Sequence, residues 1–273
     1  MKKIYLFLLI FCLFAMKVMA CSGINVDYED GIYHIILSGN KIKKQINFVS
    51  SPALITNKEA HDNSNSILTV NTGFFDPNNQ KTISYIMNDY QTVEDPIFND
   101  NLMNNPVLRK NMKKILNRTE LRILDCDGKL KYEIAPHSAT VDFLCSIKTS
   151  AQGGPRLLPN LALEEEFFIL KDEEGNVIRE SASVLHKTAR TLAGIKTLPQ
   201  GEQELHIFIV TNLNPLTIME SRDLCAKYGL ESAMAFDGGS STSFDYKNTH
   251  VISVQKNGDT GRALKSFMII KKK

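Results

Sequence analysis

The chain has 273 residues, 43% of them hydrophobic and 23% charged, so a core of ordinary size is available and wholesale disorder is excluded. A net charge of +2 is too small to point to nucleic acid, and the lysines at 2–3 and 271–273 sit at the ends, solvated or part of a targeting signal.

Lys2 and Lys3 precede an apolar run from Ile4 to Met16, after which small residues lead to Ala20 and Cys21. This charged, apolar, small-residue order is that of a secretory signal peptide over 1–20, with one domain over 21–273. The run falls short of the ~20 apolar residues that a bilayer span needs. Val18-Met19-Ala20-Cys21 also resembles the lipobox of bacterial lipoproteins, in which the cysteine carries a lipid. The mature chain is therefore expected outside the cytoplasm: periplasmic, extracellular, or held at a membrane only through a lipid on Cys21. Of five cysteines, Cys12 leaves with the signal, and no C-x-x-C spacing suggests zinc or thioredoxin chemistry. A Cys126–Cys145 bridge in an oxidising compartment and buried free thiols remain alternatives.

Short apolar runs rich in branched residues read as strands: 32–37, 67–70, 83–87, 121–124, 166–170, 205–210, 233–236, 251–254 and 266–270. Pro106 to Asn117 reads as a helix, with Val107, Leu108, Met112, Ile115 and Leu116 at helical spacing. Thr217 and Glu220 form a capping box, so a second helix starts at Ile218, and Gly229 suits its left-handed end. Strand, helix and strand over 205–236 predict a parallel pair joined by a right-handed crossover. That places Thr211 and Asn212 near Asp237, at the carboxyl edge of the sheet. The fold class is α/β or α+β: a single domain with a mixed β-sheet and few helices.

Asp237-Gly238-Gly239-Ser240-Ser241-Thr242-Ser243 follows the second of those strands. It reads either as a plain hairpin turn or as a polar loop whose N–H groups make an anion-binding nest. No lysine follows the glycines, which excludes a phosphate-binding P-loop, and Thr242 stands where a nucleophile elbow needs glycine. Asn71-Thr72-Gly73-Phe74-Phe75-Asp76-Pro77 follows another strand and offers either core aromatics and a turn or an aromatic wall with a polar asparagine. Gly153-Gly154-Pro155-Arg156 is a further glycine turn. Arg190 is either a strand-edge charge or a planar fork for phosphate.

Together and in this order these segments resemble the motifs of phosphodiester glycosidases. Asn71 to Phe75 is similar to the family's N-x-G-F/Y-F, Gly153 to Leu158 to its G-P-x-L, and Arg190 to Ile195 to its R-T-A-x-G strand. Ala235 to Thr242 resembles L-D-G-G-x-S-T, and Gly261-Arg262-Ala263-Leu264 the closing G-R-x-V. Thr72, Phe236 and Thr211-Asn212 depart from the pattern, the last standing where many members have Asp-Gly. The resemblance implies hydrolysis of a glycosyl phosphodiester in a cell-envelope or extracellular glycan. An exported glycan binder with the same fold and no catalysis is the alternative.

Glycosidases of ordinary type use two carboxylates. Asp237 is the expected essential carboxylate and Asp76 the candidate second. Arg190, Arg262 and the backbone of Gly238, Gly239, Ser240 and Ser241 are expected to hold the phosphate charge, with Thr242 beside them. Asn71 and Asn212 are expected on sugar hydroxyls, Phe74 and Phe75 on the sugar face, and Gly73 and Gly154 where the chain approaches the ligand. No cofactor is expected, since the loop Asp and Asn residues that could suit calcium lack ordered ligand spacing.

Overall fold

The computed structural model describes residues 23–254 and 258–272, so the expected signal segment, Cys12 and Cys21 lie outside the described residues. Strands and helices are numbered in chain order. A six-stranded sheet has the order β1 (Gly23–Glu29), β2 (Ile32–Ser38), β14 (Gln203–Val210), β13 (Arg190–Thr197), β15 (Ser232–Ala235) and β10 (Arg156–Leu158). A five-stranded sheet has the order β17 (Thr249–Ile252), β16 (Ser243–Tyr246), β4 (Ser66–Asn71), β18 (Leu264–Lys271) and β3 (Ile46–Ile55). A second five-stranded sheet runs β6 (Gln91–Glu94), β5 (Ile86–Asn88), β9 (Cys145–Gln152), β7 (Thr119–Cys126) and β8 (Lys129–Pro136). β11 (Ile169–Lys171) and β12 (Val177–Glu180) form a separate ribbon. Every hydrogen-bonded pair in these sheets is antiparallel.

One apolar core joins the three larger sheets. Ile35, Ile207, Phe48, Val70, Leu121 and Met268 meet in it, which makes the chain a single α+β domain. The outer face of the six-stranded sheet buries Leu192, Phe208, Val210 and Ala233 against α5 (Ile218–Lys227). This sheet is thus covered on both sides, and its central strands read as unbroken apolar runs such as Ile207-Phe208-Ile209-Val210. Among the described residues four short α-helices complete the fold: α1 (Asn40–Gln45), α2 (Asn57–Asn63), α3 (Asp100–Met103) and α4 (Met112–Leu116). Among the described residues no helix is long and apolar enough to cross a membrane.

α5 begins as its sequence dictates. The Thr217 hydroxyl accepts from the Glu220 amide and the Glu220 carboxylate accepts from the Thr217 amide, while Gly229 takes φ +70° just past the end. The expected parallel pairing does not form. β14 and β15 run the same way, but β13 lies between them and pairs antiparallel with both. The crossover therefore spans one intervening strand, and the start of β13 arrives at the edge where β14 and β15 end.

The expected helix over 106–117 is also broken. Arg109–Asn111 makes a 3-10 turn, and only Met112–Leu116 is α-helical. The Asn105 side chain accepts from the Val107 and Leu108 amides, the local competition with helix hydrogen bonds that asparagine offers. Three strand expectations shift: 83–87 shortens to Ile86–Asn88, 166–170 to Ile169–Lys171, and 251–254 becomes Thr249–Ile252. Of the cysteine alternatives the bridge is the one present: Cys126 and Cys145 stand opposite each other on β7 and β9 and are joined by a disulfide. Cys225 is free and buried, its thiol pushed up to about 12 by desolvation.

Candidate functional site

The loops that follow β4 and β15 are stitched together. The Asp237 amide donates to the Thr72 carbonyl at 2.8 Å, and the Asn71 amide group donates to the Asp237 carbonyl at 2.6 Å. The Asn71 side-chain oxygen accepts from the Thr191 hydroxyl at 2.7 Å and from the Ser243 amide at 3.1 Å. One buried asparagine therefore ties β4, β13, β16 and the Asp237 loop, and its polar atoms are engaged by protein rather than turned to a ligand. Gly73 belongs to the same frame: a Cβ there would lie 2.6 Å from the Ser84 Cβ, so only glycine lets the loop pass.

The two other glycine- and arginine-bearing motifs also serve this frame. The Gly154 amide donates to the Ala235 carbonyl and the Ala235 amide to the Pro155 carbonyl, which fixes β15 just before Asp237. Gly154 takes φ +96°, and a Cβ on it would strike Glu166 Oε2. Arg190, expected on the phosphate, has another task. Its guanidinium donates to four main-chain carbonyls, those of Leu216, Ala182, Ser183 and His186, at 2.7–3.1 Å. It is 3% exposed and pins the loop before β13 to the loop before α5, outside the cavity described next.

That cavity, of about 240 Å³, opens over Asp237. Phe74, Phe75 and Phe168 give it aromatic walls; Ile83, Leu102, Leu108 and Ile115 give it aliphatic ones. Three arginines line it as well: Arg118, Arg179 and Arg262. Arg262 Nη1 lies 3.2 Å from both the Ser240 and Ser241 hydroxyls, and its guanidinium sits 4.9 Å over the Phe75 ring. Arg118 lies 4.0 Å over the Phe168 ring, with its Nε held by the Glu166 carbonyl. Arg179 lies over Phe167 and donates from Nη1 to the Phe167 carbonyl.

Asp237 is the one carboxylate among the described residues that lines this cavity. Desolvation raises its pKa to about 6, against the opposing pull of the Ser241 hydroxyl, Arg262 and the Gly238 amide. A carboxyl poised there carries charge near neutral pH yet takes up a proton readily, the property of a catalytic acid or base. The positive side is burdened by burial too: desolvation lowers Arg118 to about 10, partly offset by Glu166 and worsened by Arg179.

The Gly238–Thr242 turn does not form an open nest. The Gly239, Ser241 and Thr242 amides donate to the Ala189, Gly238 and Gly239 carbonyls, so the hydroxyls rather than the amides face the arginine. Thr242 is buried, and its hydroxyl has no hydrogen-bond partner among the described residues. Asp76 does not line the cavity: its carboxylate accepts from the Asn78 amide and the Asn101 side chain, an Asx turn on the surface. Asn212 is also elsewhere. Its amide donates to the Ser253 carbonyl, and it borders a separate hollow with Tyr33, Leu213 and Val251. The displacement of Asn212 follows from β13, which separates the end of β14 from Asp237. Among the described residues no group of three or more His, Cys, Asp or Glu is placed to hold a metal.

Arg118, Arg179 and Phe168 were not legible as site residues, because each sits in a segment without a motif. The paired aromatics Phe167-Phe168 were the nearest signal, and they read as strand.

No curated protein matches the chain in sequence. Among solved structures it is similar to the zebrafish N-acetylglucosamine-1-phosphodiester alpha-N-acetylglucosaminidase catalytic domain, auto-inhibited by its pro-peptide. The TM-score is 0.62 at 14% identity over 92% of this chain and 82% of that one. A protein from Synechocystis is similar at TM-score 0.55 and 11% identity, over 90% of this chain and 61% of that one. At these identities the likeness concerns the fold. The sequence pattern of the phosphodiester glycosidase family matches residues 64–271, a stretch that holds both stitched loops, Asp237 and the three cavity arginines. With most of its length matching that pattern, the chain belongs to the phosphodiester glycosidase family.

Proposed function

We propose that the protein hydrolyses a glycosyl phosphodiester, with Asp237 as the reacting carboxyl. The observation that carries this reading is the placement of Asp237 in a cavity shared with aromatic walls and three arginines. An aromatic face suits the apolar face of a sugar ring, and guanidinium groups suit a phosphate. The zebrafish protein of similar fold is named for action on an N-acetylglucosamine-1-phosphodiester, which agrees with this chemistry.

The step needs one carboxylate. Ionised Asp237 takes a proton from water as the water oxygen bonds to the anomeric carbon. The bond from that carbon to the phosphate oxygen breaks, and its electron pair leaves with the phosphate. The products are a free sugar and a phosphomonoester. Phosphate departs without a proton donor when arginines hold its charge, so the step does not need Asp76 in the cavity. Arg262, with Arg118 and Arg179, takes the phosphate role expected of Arg190, since it acts on Asp237 and stands on the Ser240 and Ser241 hydroxyls of the same cavity.

We also propose export. The 1–20 segment has signal-peptide order, and the Cys126–Cys145 disulfide fits an oxidising compartment. Mass spectrometry of the mature chain should show Cys21 as its first residue, with or without a lipid; retention of Met1 would refute the cleavage.

Turnover of a glycosyl phosphodiester tests the central reading. The rate should rise with pH through a midpoint near 6, as Asp237 ionises. Asp237→Asn should lower it by about a hundredfold or more. Affinity without product in the wild type would instead identify a glycan binder.

A further inference from the structure

The aliphatic side of the Asp237 cavity is not what a sugar alone requires. Ile83, Leu102, Leu108 and Ile115 offer no hydrogen bond from their side chains, and a sugar hydroxyl pressed against them would lose its water without gaining a partner. Leu102 and Ile115 come from the run of short turns over 96–117, where they cluster with Phe167 and are flanked by Ile83, Leu108 and Met112. Part of that cluster forms cavity wall instead of closing on itself.

The polar groups beside the aliphatic wall are cationic. Arg118 is 7% exposed, yet among the described residues only its Nε has a hydrogen-bond partner, the Glu166 carbonyl. Its two Nη atoms have no hydrogen-bond partner among the described residues, and Arg118 lines the cavity with its guanidinium over the Phe168 and Phe74 rings. Arg179 engages one Nη in the same way, with the Phe167 carbonyl. Arg179 adds to the positive charge that burial already makes costly for Arg118, burial burdens Arg179 as well, and an anion in the cavity would offset both. The cavity thus offers an anion site and an apolar surface side by side. Its volume of about 240 Å³ lies below the ~300–1,000 Å³ of common ligand pockets, which suits a phosphate and a short flanking group rather than an oligosaccharide.

We propose that this wall receives an amphiphilic phosphodiester, with its phosphate oxygens on Arg118 and Arg179 and an alkyl group of the leaving phosphomonoester against Ile83, Leu102, Leu108 and Ile115. The orientation, sugar toward Asp237 and alkyl group away from it, rests on the hydrolytic reading above. The binding of an alkyl phosphate does not.

Calorimetry with inorganic phosphate, ethyl phosphate and butyl phosphate tests the proposal without turnover. Affinity should rise about three- to fourfold for each added methylene while the chain still finds wall. Leu108→Asn should remove most of that gain and leave inorganic phosphate within about twofold; Ile83→Asn serves as a second variant should the first unfold. Arg179→Gln should weaken all three probes by a similar factor and keep their ratio. Butyl phosphate binding no tighter than inorganic phosphate overturns the proposal, as does a Leu108→Asn variant that folds and weakens all probes alike. The two readings fail separately. Chain-length-dependent binding with no hydrolysis of any glycosyl phosphodiester would retire the hydrolytic reading alone. Hydrolysis indifferent to the alkyl group would retire this one alone.

Discussion

The Asn71 side chain donates to the main-chain carbonyl of Asp237 at 2.6 Å across a separation of 166 residues. The same side chain accepts from Thr191 and Ser243, so its removal leaves one buried acceptor and two donors without partners. Asn71→Ala should therefore cost about 2–4 kcal/mol of stability, several times the worth of one ordinary hydrogen bond. Urea unfolding measures it, and a loss under about 1 kcal/mol would show that water replaces all three bonds. Turnover should fall as well, through a displaced Asp237 rather than a lost sugar contact, so kcat should change more than KM.

Arg190 separates frame from site in the same manner. Its guanidinium holds four carbonyls from the loops before β13 and α5. Arg190→Lys keeps the charge and loses the fork that reaches all four. A loss of at least about 2 kcal/mol is expected, since several buried carbonyls are left without donors. The surviving folded fraction should bind inorganic phosphate normally. Normal stability with weakened phosphate binding would return Arg190 to the ligand.

The sequence motifs were thus legible as places but not as roles. Asn71, Gly73, Gly154 and Arg190 lie in recognisable segments, and all four build the frame that holds the Asp237 loop. A motif reports that a residue type is required at a position; whether it meets ligand or protein depends on partners outside the motif, from four residues away for Arg190 to 166 for Asn71. Arg118 and Phe168 form cavity walls because α4 and the β11–β12 ribbon fold over Asp237, and nothing local encodes that approach. The fold class and the long apolar strands were readable because β4, β7, β14 and β18 are buried runs. β1 escaped because it is a polar edge strand, and β3 because Ser50-Ser51-Pro52 interrupts it, which an edge strand tolerates.

Asp237 should carry a stability cost in return for its function. Its pKa is raised to about 6 in the folded chain from an ordinary value near 3.8, so the unfolded chain ionises it more readily. Folding is then favoured while the carboxyl is protonated, and stability is lost as pH rises from about 4 to about 6. Asp237→Asn should remove this penalty and raise stability at pH 7 by up to about 3 kcal/mol, even as activity collapses. An Asn variant less stable than wild type at pH 7 would mean that the Ser241 and Arg262 contacts outweigh desolvation.

The Cys126–Cys145 bridge closes a stretch of 19 residues between β7 and β9. Cross-linking a loop of that length stabilises by about 3 kcal/mol in the chain-entropy account. The double variant Cys126→Ser, Cys145→Ser should lose an amount of that order and become insensitive to reductant. Cys225 should stay unmodified by thiol reagents in the native state, since it is buried and its thiol is pushed up to about 12. Labelling of native Cys225 at the rate of a free thiol would show that α5 opens readily.

The His34–His206 pair predicts an opposite pH response to that of Asp237. The two rings are joined by a 2.9 Å hydrogen bond between His34 Nε2 and His206 Nδ1, and His34 stacks on Phe208 at 4.4 Å. Burial lowers both pKa values, that of His206 to about 3, with His34 and Lys196 adding to the shift. In the unfolded chain a histidine titrates near ~6.5. The contribution of the pair is therefore fully present above pH 6.5 and is lost as pH falls, because the unfolded chain takes protons that the folded one refuses. His206 alone should cost about 2 kcal/mol between pH 6.5 and pH 5. Asp237 works the other way over part of this range, so the measurement belongs in the Asp237→Asn background. There, urea midpoints should drop steadily from pH 7 to pH 5, and the added change His206→Gln should flatten the slope. Equal slopes with and without His206 would show that the pair takes up its proton inside the folded protein.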